Sequence, residues 1–196
     1  RVLRGEKLTR QDREPGVQAA RKLGLWGLTA PAEHGGAALS MVDKCAITET
    51  NHRCLVPIRW GGSALPPLYA LQGEQKQRYL DPIIDGTLHL CFAQTEPGGG
   101  GDPAGAINTH ARRTDRGWVI NGSKIWISSF ADADLVFVLA RTEQGNRAGG
   151  LSMFAVAKDN PGMIAREVPM LGTFKTHQLT FADCEVDDLA LIGLEG

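Results

Sequence analysis

The periodicity of this 196-residue chain changes near residue 90, and that change limits the fold more than any other feature. Before it, helical signals dominate. Gln18, Ala19, Ala20, Arg21, Lys22 and Leu23 form a run of good helix formers, and Gly24 is placed to end it. Ser40 reads as an N-cap with Asp43 three residues on, ahead of a helical run from Met41 to Cys54. Val42, Ala46, Ile47 and Cys54 recur there at helical spacing. Gly73 precedes the polar stretch Glu74 to Arg78, which leads into Tyr79-Leu80. A stop is expected at Asp81-Pro82, because a proline disfavours the helical conformation of the residue before it.

Beyond residue 90 the apolar period falls to two. Gly117 to Ile120, then Asn121-Gly122, then Ser123 to Ser128 reads as a hairpin, since Asn-Gly supplies the positive φ of a tight type I′ turn. Leu135 to Thr142 and Leu151 to Ala157 are expected strands, joined by the polar loop Glu143 to Gly150. Asp159 to Gly162 is a turn, and Met163 to Val168 and Gln178 to Phe181 complete the strand set. The fold class is therefore α+β. An N-terminal helical domain over residues 1–90 precedes a mostly antiparallel, barrel-like or sandwich β domain over 91–196.

Composition excludes several roles. Lys plus Arg is 21 against 22 for Asp plus Glu, so no bulk positive charge is present to hold nucleic acid. The longest apolar runs, such as Leu135 to Ala140, are far shorter than a membrane span of about 20 residues. Cys45, Cys54, Cys91 and Cys184 form no C-x-x-C pair and share no metal-like spacing with the histidines. They read as reduced thiols of a cytoplasmic protein, with no metal site. The start at Arg1 reads as cut.

Glycine, at 24 residues, concentrates in one informative place: Thr95-Glu96-Pro97-Gly98-Gly99-Gly100-Gly101-Asp102. Successive glycines expose backbone N–H groups that can cradle phosphate oxygens. No Gly-Lys-Ser/Thr follows, so the loop is not a P-loop. Gly99-x-Gly101-x-x-Ala104 matches the dinucleotide pattern only formally. Pro103 interrupts it, strands follow it, and Asn121 stands where an acid is needed. Taken alone, the loop is equally well a turn without a ligand.

Its neighbours change that balance. Cys91 to Asp102, with Phe92, Thr95-Glu96-Pro97 and the glycines, together with Asn121-Gly122-Ser123-Lys124-Ile125-Trp126-Ile127-Ser128, resembles the acyl-CoA dehydrogenase family. That family carries F-x-x-T-E-P-x-x-G-S-D and N-G-x-K-x-W-I-T/S in this order. Gly24-Leu25-Trp26-Gly27-Leu28 with Pro31 to Gly36, Gly73 to Leu80, and Ala131-Asp132 resemble further family motifs.

The resemblance implies a helical domain, a β domain and a C-terminal four-helix bundle, with FAD between the last two and an acyl-CoA thioester against the flavin. A bundle carboxylate takes the α-proton, the β-hydride passes to flavin N5, and electrons leave to an electron-transfer flavoprotein. By the same resemblance Phe92, Ala93, Gln94 and Thr95 line the flavin and its pyrimidine edge. Trp126, Ile127 and Ser128 lie along the isoalloxazine, with the Ser128 hydroxyl near N5 and O4. Gly99, Gly100 and Gly101 let the backbone approach the pyrophosphate. Plainer roles stand beside these. Thr95 and Ser128 are also placed to cap strand ends, and Trp126 to pack on a sheet face shared with Lys124 and Ser128. Glu96, beside Pro97, reads as structural and not as a base.

Three departures bear on function. Gly101 replaces the family serine at the thioester end, and the stretch Thr173 to Leu179 is shorter than the family's R-x-S-x-T segment. The chain also ends at Ile192 to Gly196, which resembles the L-G-x-x-G that precedes the bundle. The expected base is thus absent, no catalytic residue is assigned, and the chain alone is not expected to dehydrogenate. Alternatives on the same fold are a flavin monooxygenase, a nitroalkane-oxidase-like enzyme, or a half-length paralogue acting with a partner subunit. The resemblance also implies a homodimer or homotetramer, in the mitochondrial matrix if the source is eukaryotic.

Overall fold

A computed structural model describes residues 8–54, 60–100, 102–142, 150–171 and 175–196. These residues divide into two compact units: those up to Tyr69 with Gln77–Thr87, and Ala70–Lys76 with those from Leu88 to Gly196.

The first unit is helical. Helix α1 (Arg10–Lys22) opens on a capping box in which Thr9 and Asp12 satisfy one another's backbone N–H groups, eight residues ahead of the run that marks its end. Gly24, at φ +70°, follows its C-cap as expected. Helix α2 (Met41–Asn51) begins with the expected Ser40–Asp43 box. Trp26 organises the unit's interior. Its indole N–H donates to the Ile84 carbonyl at 2.8 Å, and the Arg21 guanidinium lies 3.9 Å from the ring. Glycines make room for that ring: a Cβ on Gly61 would lie 2.0 Å from it and one on Gly86 2.5 Å.

Pro82 does not end the third helical stretch. Gly73–Gln75 (α3), a π-helical turn at Lys76–Leu80 and Asp81–Asp85 (α4) run on to Gly86, which closes the helix at φ +71°. The wider π turn removes the need for the hydrogen bond that a proline nitrogen cannot donate, so the ring sits at the start of α4. Residues 70–76 belong with the β unit, where the Gln75 amide donates to the carbonyls of Leu189 and Leu191 at 2.9 and 2.6 Å.

The second unit is one eight-stranded sheet. Its strands are β1 (Leu90–Ala93), β2 (His110–Thr114), β3 (Gly117–Ser128), β4 (Leu135–Arg141), β5 (Leu151–Ala157), β6 (Met163–Val168), β7 (Thr176–Val186) and β8 (Leu191–Ile192). The order is β6-β7-β3-β2-β4-β5-β8, antiparallel except where β1 and the start of β2 lie parallel along β4. A short helix, α5 (Pro103–Ala106), joins β1 to β2. The expected architecture, helices first and a mostly antiparallel sheet after, is the one observed.

The expected hairpin at Asn121-Gly122 is not there. β3 runs through both residues as one twelve-residue strand, and the turn lies earlier, at Asp115-Arg116 between Thr114 and Gly117. Both halves of β3 pair with the eleven-residue β7, so a turn at 121–122 would forfeit that ladder. The Asn-Gly pair serves a bulge instead. The Asn121 side chain bridges to the Asp183 backbone and carboxylate at 2.9 and 3.2 Å. Gly122 lies under Thr109, whose hydroxyl would be 2.5 Å from an added Cβ.

Trp118, Val136, Phe154, Leu179 and Phe181 fill the core of the sheet unit, with Trp118 meeting Phe154 edge-on at 5.2 Å. Cys91 and Cys184 are buried among them, and burial pushes their thiols up to about 12 and about 11. Cys45 and Cys54 are exposed, and all four thiols are free.

The Trp26 cradle is open to test by denaturant unfolding. Gly86→Ala combines a left-handed backbone with a ring overlap and is expected to lose about 2–4 kcal/mol. Gly16→Ala, within α1 and with open space around it, is expected to gain up to about 1 kcal/mol.

Candidate functional site

The glycine loop is held from beneath by a buried ion pair. The Lys124 ammonium, with a fully buried side chain, lies 2.9 Å from the carboxylate of Glu96, whose side chain is 6% exposed. That carboxylate also accepts the backbone N–H groups of Asn108 at 2.7 Å and Thr109 at 2.8 Å. Lys124 in turn donates to the Gln94 carbonyl at 3.1 Å. Four segments are thereby joined: the end of β1, the loop, the approach to β2, and β3. Burial alone would raise the Glu96 carboxyl, but its hydrogen bonds from Thr109, Lys124 and Asn108 outweigh it and hold the group below its ordinary value. Burial lowers the Lys124 ammonium, against the opposing pull of Glu96. An acid so fully engaged is structural, as its place beside Pro97 suggests.

Above this pair the expected site residues separate by orientation. Phe92, Thr95, Trp126 and Ser128 have exposed side chains, Trp126 being 52% accessible. Ala93 and Ile127 bury theirs in the sheet core, so only their backbones can face a ligand. Gln94 is partly exposed. The amide of Ile125 donates to the Thr95 carbonyl at 2.8 Å, which lays the end of β1 against the 124–128 segment. Gly98 turns the loop at φ +81°. A Cβ on Gly99 would press within 3.4 Å of Glu96 and Ala106, whereas one on Gly100 would meet nothing within 4 Å. The chain's own packing therefore gives no reason for glycine at 100. Gly101 lies outside the described residues, as do Thr173 and Phe174 of the shortened stretch.

Trp126 departs from the alternation expected of β3. Lys124 points into the core and Trp126 outward, because the ladder to β7 slips between Lys124 and Ile127. Trp126 takes up that slip at φ +62°, a conformation costing a non-glycine residue about 1–3 kcal/mol. Past the bulge, Ile127 pairs with His177 and Ser128 with Thr176. Burial keeps the His177 imidazole below its usual value, and its ring lies 5.0 Å from Phe130. Lys124 and Thr176 are the residues that sequence reasoning passed over. The signal for Lys124 was a charged side chain on a strand that is otherwise apolar at that point; Thr176 carries no comparable signal.

Among the described residues no group of three His, Cys, Asp or Glu side chains can hold a metal ion, and no helix is long and apolar enough to cross a membrane. The site is thus an exposed aromatic and hydroxyl surface beside a glycine loop, braced by a buried ion pair. Such an arrangement suits a flat, polar-edged ligand with a phosphate tail.

Comparison with known proteins gives the family. Residues 4–87 match the acyl-CoA dehydrogenase N-terminal domain and residues 91–184 the acyl-CoA dehydrogenase middle domain. The chain belongs to the acyl-CoA dehydrogenase family. It is 35% identical over 193 residues to the acyl-CoA dehydrogenase IpdE1 of Mycobacterium tuberculosis, an alignment covering 95% of this chain and 50% of that protein. Among solved structures, the ChsE4–ChsE5 complex from Mycobacterium tuberculosis superposes with a TM-score of 0.79 at 28% identity, over 93% of this chain and 48% of that one. An FAD complex of PigA superposes with a TM-score of 0.60 at 29% identity, over 66% and 35%. The chain spans about half the length of the curated relatives it matches.

Removing the lysine should expose the role of the ion pair. Lys124→Met leaves the Glu96 charge buried without its partner and is expected to cost about 3–5 kcal/mol in urea unfolding. Adding Glu96→Gln should recover part of that loss. Because Glu96 titrates below its ordinary 4.5, its contribution is whole above that value and disappears as the pH falls through the lower folded-state value. The acid limb of the stability–pH curve should therefore flatten in the Glu96→Gln variant.

Proposed function

We propose that this chain supplies the FAD-binding face of an acyl-CoA dehydrogenase that oxidises the α,β bond of an acyl-CoA thioester. What supports the reading is the placing of Phe92, Thr95, Trp126 and Ser128 as exposed neighbours, fixed by the Thr95–Ile125 bond and the Lys124–Glu96 pair. The residues fit the group. Aromatic rings and hydroxyls meet a flavin's face and polar edge, and the open space at Gly100 admits a pyrophosphate. FAD, when bound, supplies a hydride acceptor at N5.

This chain's residues bind and orient. With FAD bound, the Ser128 hydroxyl would donate to its N5–O4 edge, and its dipole would favour negative charge there. The Thr95 hydroxyl and the backbones of Ala93 and Gln94 hold the pyrimidine edge. Trp126 would screen the ring from water, with only the backbone of Ile127 beside it. Gly99, Gly100 and Gly101 would offer N–H groups to the pyrophosphate, and position 101, by the family resemblance, would stand at the acyl-CoA end. Glu96 takes no proton from substrate, because its carboxylate is turned inward and engaged. The base belongs to the portion of the relatives that this chain does not span. Residues up to about 90, apart from the 70–76 and 88–90 stretches that cluster with the sheet, would act as the helical domain, and the rest as the β domain. An electron-transfer flavoprotein is the acceptor, a homodimer or homotetramer the working form, and the cytoplasm, or the matrix in a eukaryote, the location.

A second reading, a flavin enzyme acting on something other than a CoA thioester, has specific support. Gly101 lacks the serine hydroxyl of the thioester end, and PigA structures with FAD and with FAD plus proline are among the folds that superpose. Anaerobic titration with acyl-CoA of a protein extended to the full length of the curated relatives, so that the base is supplied, separates the two. Bleaching of the flavin band near stoichiometry is expected on the first reading, and a bound flavin indifferent to every acyl-CoA would leave the second. Ser128→Ala is expected to weaken FAD binding by about three- to tenfold in a fluorescence titration.

A further inference from the structure

Thr176 opens β7 directly opposite Ser128, and the two are register partners in an antiparallel pair. Side chains at such positions share a face of the sheet and lie about 5 Å apart at Cβ. Ser128 is exposed, while Thr176 is 93% buried by its 7% exposure. Among the described residues the Thr176 hydroxyl, itself buried, has no hydrogen-bond partner. A hydroxyl withdrawn from water and left unbonded is destabilising, and valine would fill the same volume without that loss. The register that creates this arrangement is itself maintained against strain, because the slip at Trp126 is what sets Ser128 against Thr176.

We propose that Thr176 is a second hydroxyl contact for the bound cofactor, adjoining Ser128 and donating to the same electron-rich edge of the flavin. The assignment rests on the flavin reading above. Two hydroxyls from neighbouring strands address the edge from two directions, which fixes the tilt of the ring where a single donor would let it rock. The hydroxyl would make its hydrogen bond when flavin is bound. Val168, the other register partner of Thr176, is apolar and cannot complete it.

The test uses a protein extended to the full length of the relatives, so that the flavin site is complete, and compares it with its Thr176→Val and Thr176→Ser variants by calorimetric titration with FAD and by thermal unfolding without flavin. Thr176→Val is expected to raise the flavin-free melting temperature by about 2–4 °C and to weaken FAD binding about five- to tenfold. Thr176→Ser should keep the affinity. A valine variant that binds FAD as tightly as the parent overturns the assignment and leaves the flavin reading intact. One that melts lower than the parent without flavin overturns it too, since the hydroxyl would then have a partner in the empty protein. A parent protein that takes up no FAD overturns the flavin reading, and this assignment with it.

Discussion

Everything that gives this chain a site depends on one charge placed inside it. Lys124 sits on a strand whose next inward residue, Ile127, joins an apolar core, and a lone ammonium there would be strongly unfavourable. Glu96 makes it tolerable, and the backbone N–H groups of Asn108 and Thr109 complete the carboxylate's shell. A buried ion pair adds little net stability compared with apolar packing, but it is intolerant of being broken. That intolerance makes it a good fixture. The loop after β1 cannot drift from β3 without leaving two charges unpartnered, so the surface above it keeps its shape.

The bulge at Trp126 and the bulge at Asn121 divide β3 into pieces with different tasks. The first piece packs Trp118 and Ile120 into the core, and the middle carries Lys124 inward. The last presents Trp126 and Ser128 to solvent. A strand in strict alternation cannot do this, because Lys124, Trp126 and Ser128 would then share one face. The register slip moves the lysine to one side and the tryptophan to the other. It also explains why β7 is long: each slip needs an intact ladder on both sides to hold it.

Much of the fold was legible because local chemistry and tertiary need coincide. Ser40 with Asp43 starts α2, Gly24 follows α1, and the apolar alternation of Leu135 to Arg141 and Leu151 to Ala157 marks two strands. Where they conflict, the local signal misleads. Asn121-Gly122 has the chemistry of a turn, yet twelve residues of β3 gain more from β7 than a turn would return. Pro82 has the chemistry of a stop, yet a π turn absorbs it. Site residues were legible from the resemblance of the Thr95–Gly101 and Asn121–Ser128 motifs, not from periodicity. Periodicity placed Lys124, Trp126 and Ser128 together, and only the register with β7 separates them. Thr176 was invisible, because an unbonded hydroxyl is a property of a packed neighbourhood and not of a letter in a row.

The left-handed tryptophan has an evolutionary reading. Glycine would relieve the backbone at position 126 at no steric cost, and half of the indole lies in water, so the fold itself supplies little reason to keep the ring. A lineage in which this surface fell idle would drift towards smaller or more flexible residues there sooner than at the core positions around it. An aromatic kept at that strained, exposed position marks a surface whose use outweighs the cost to the backbone.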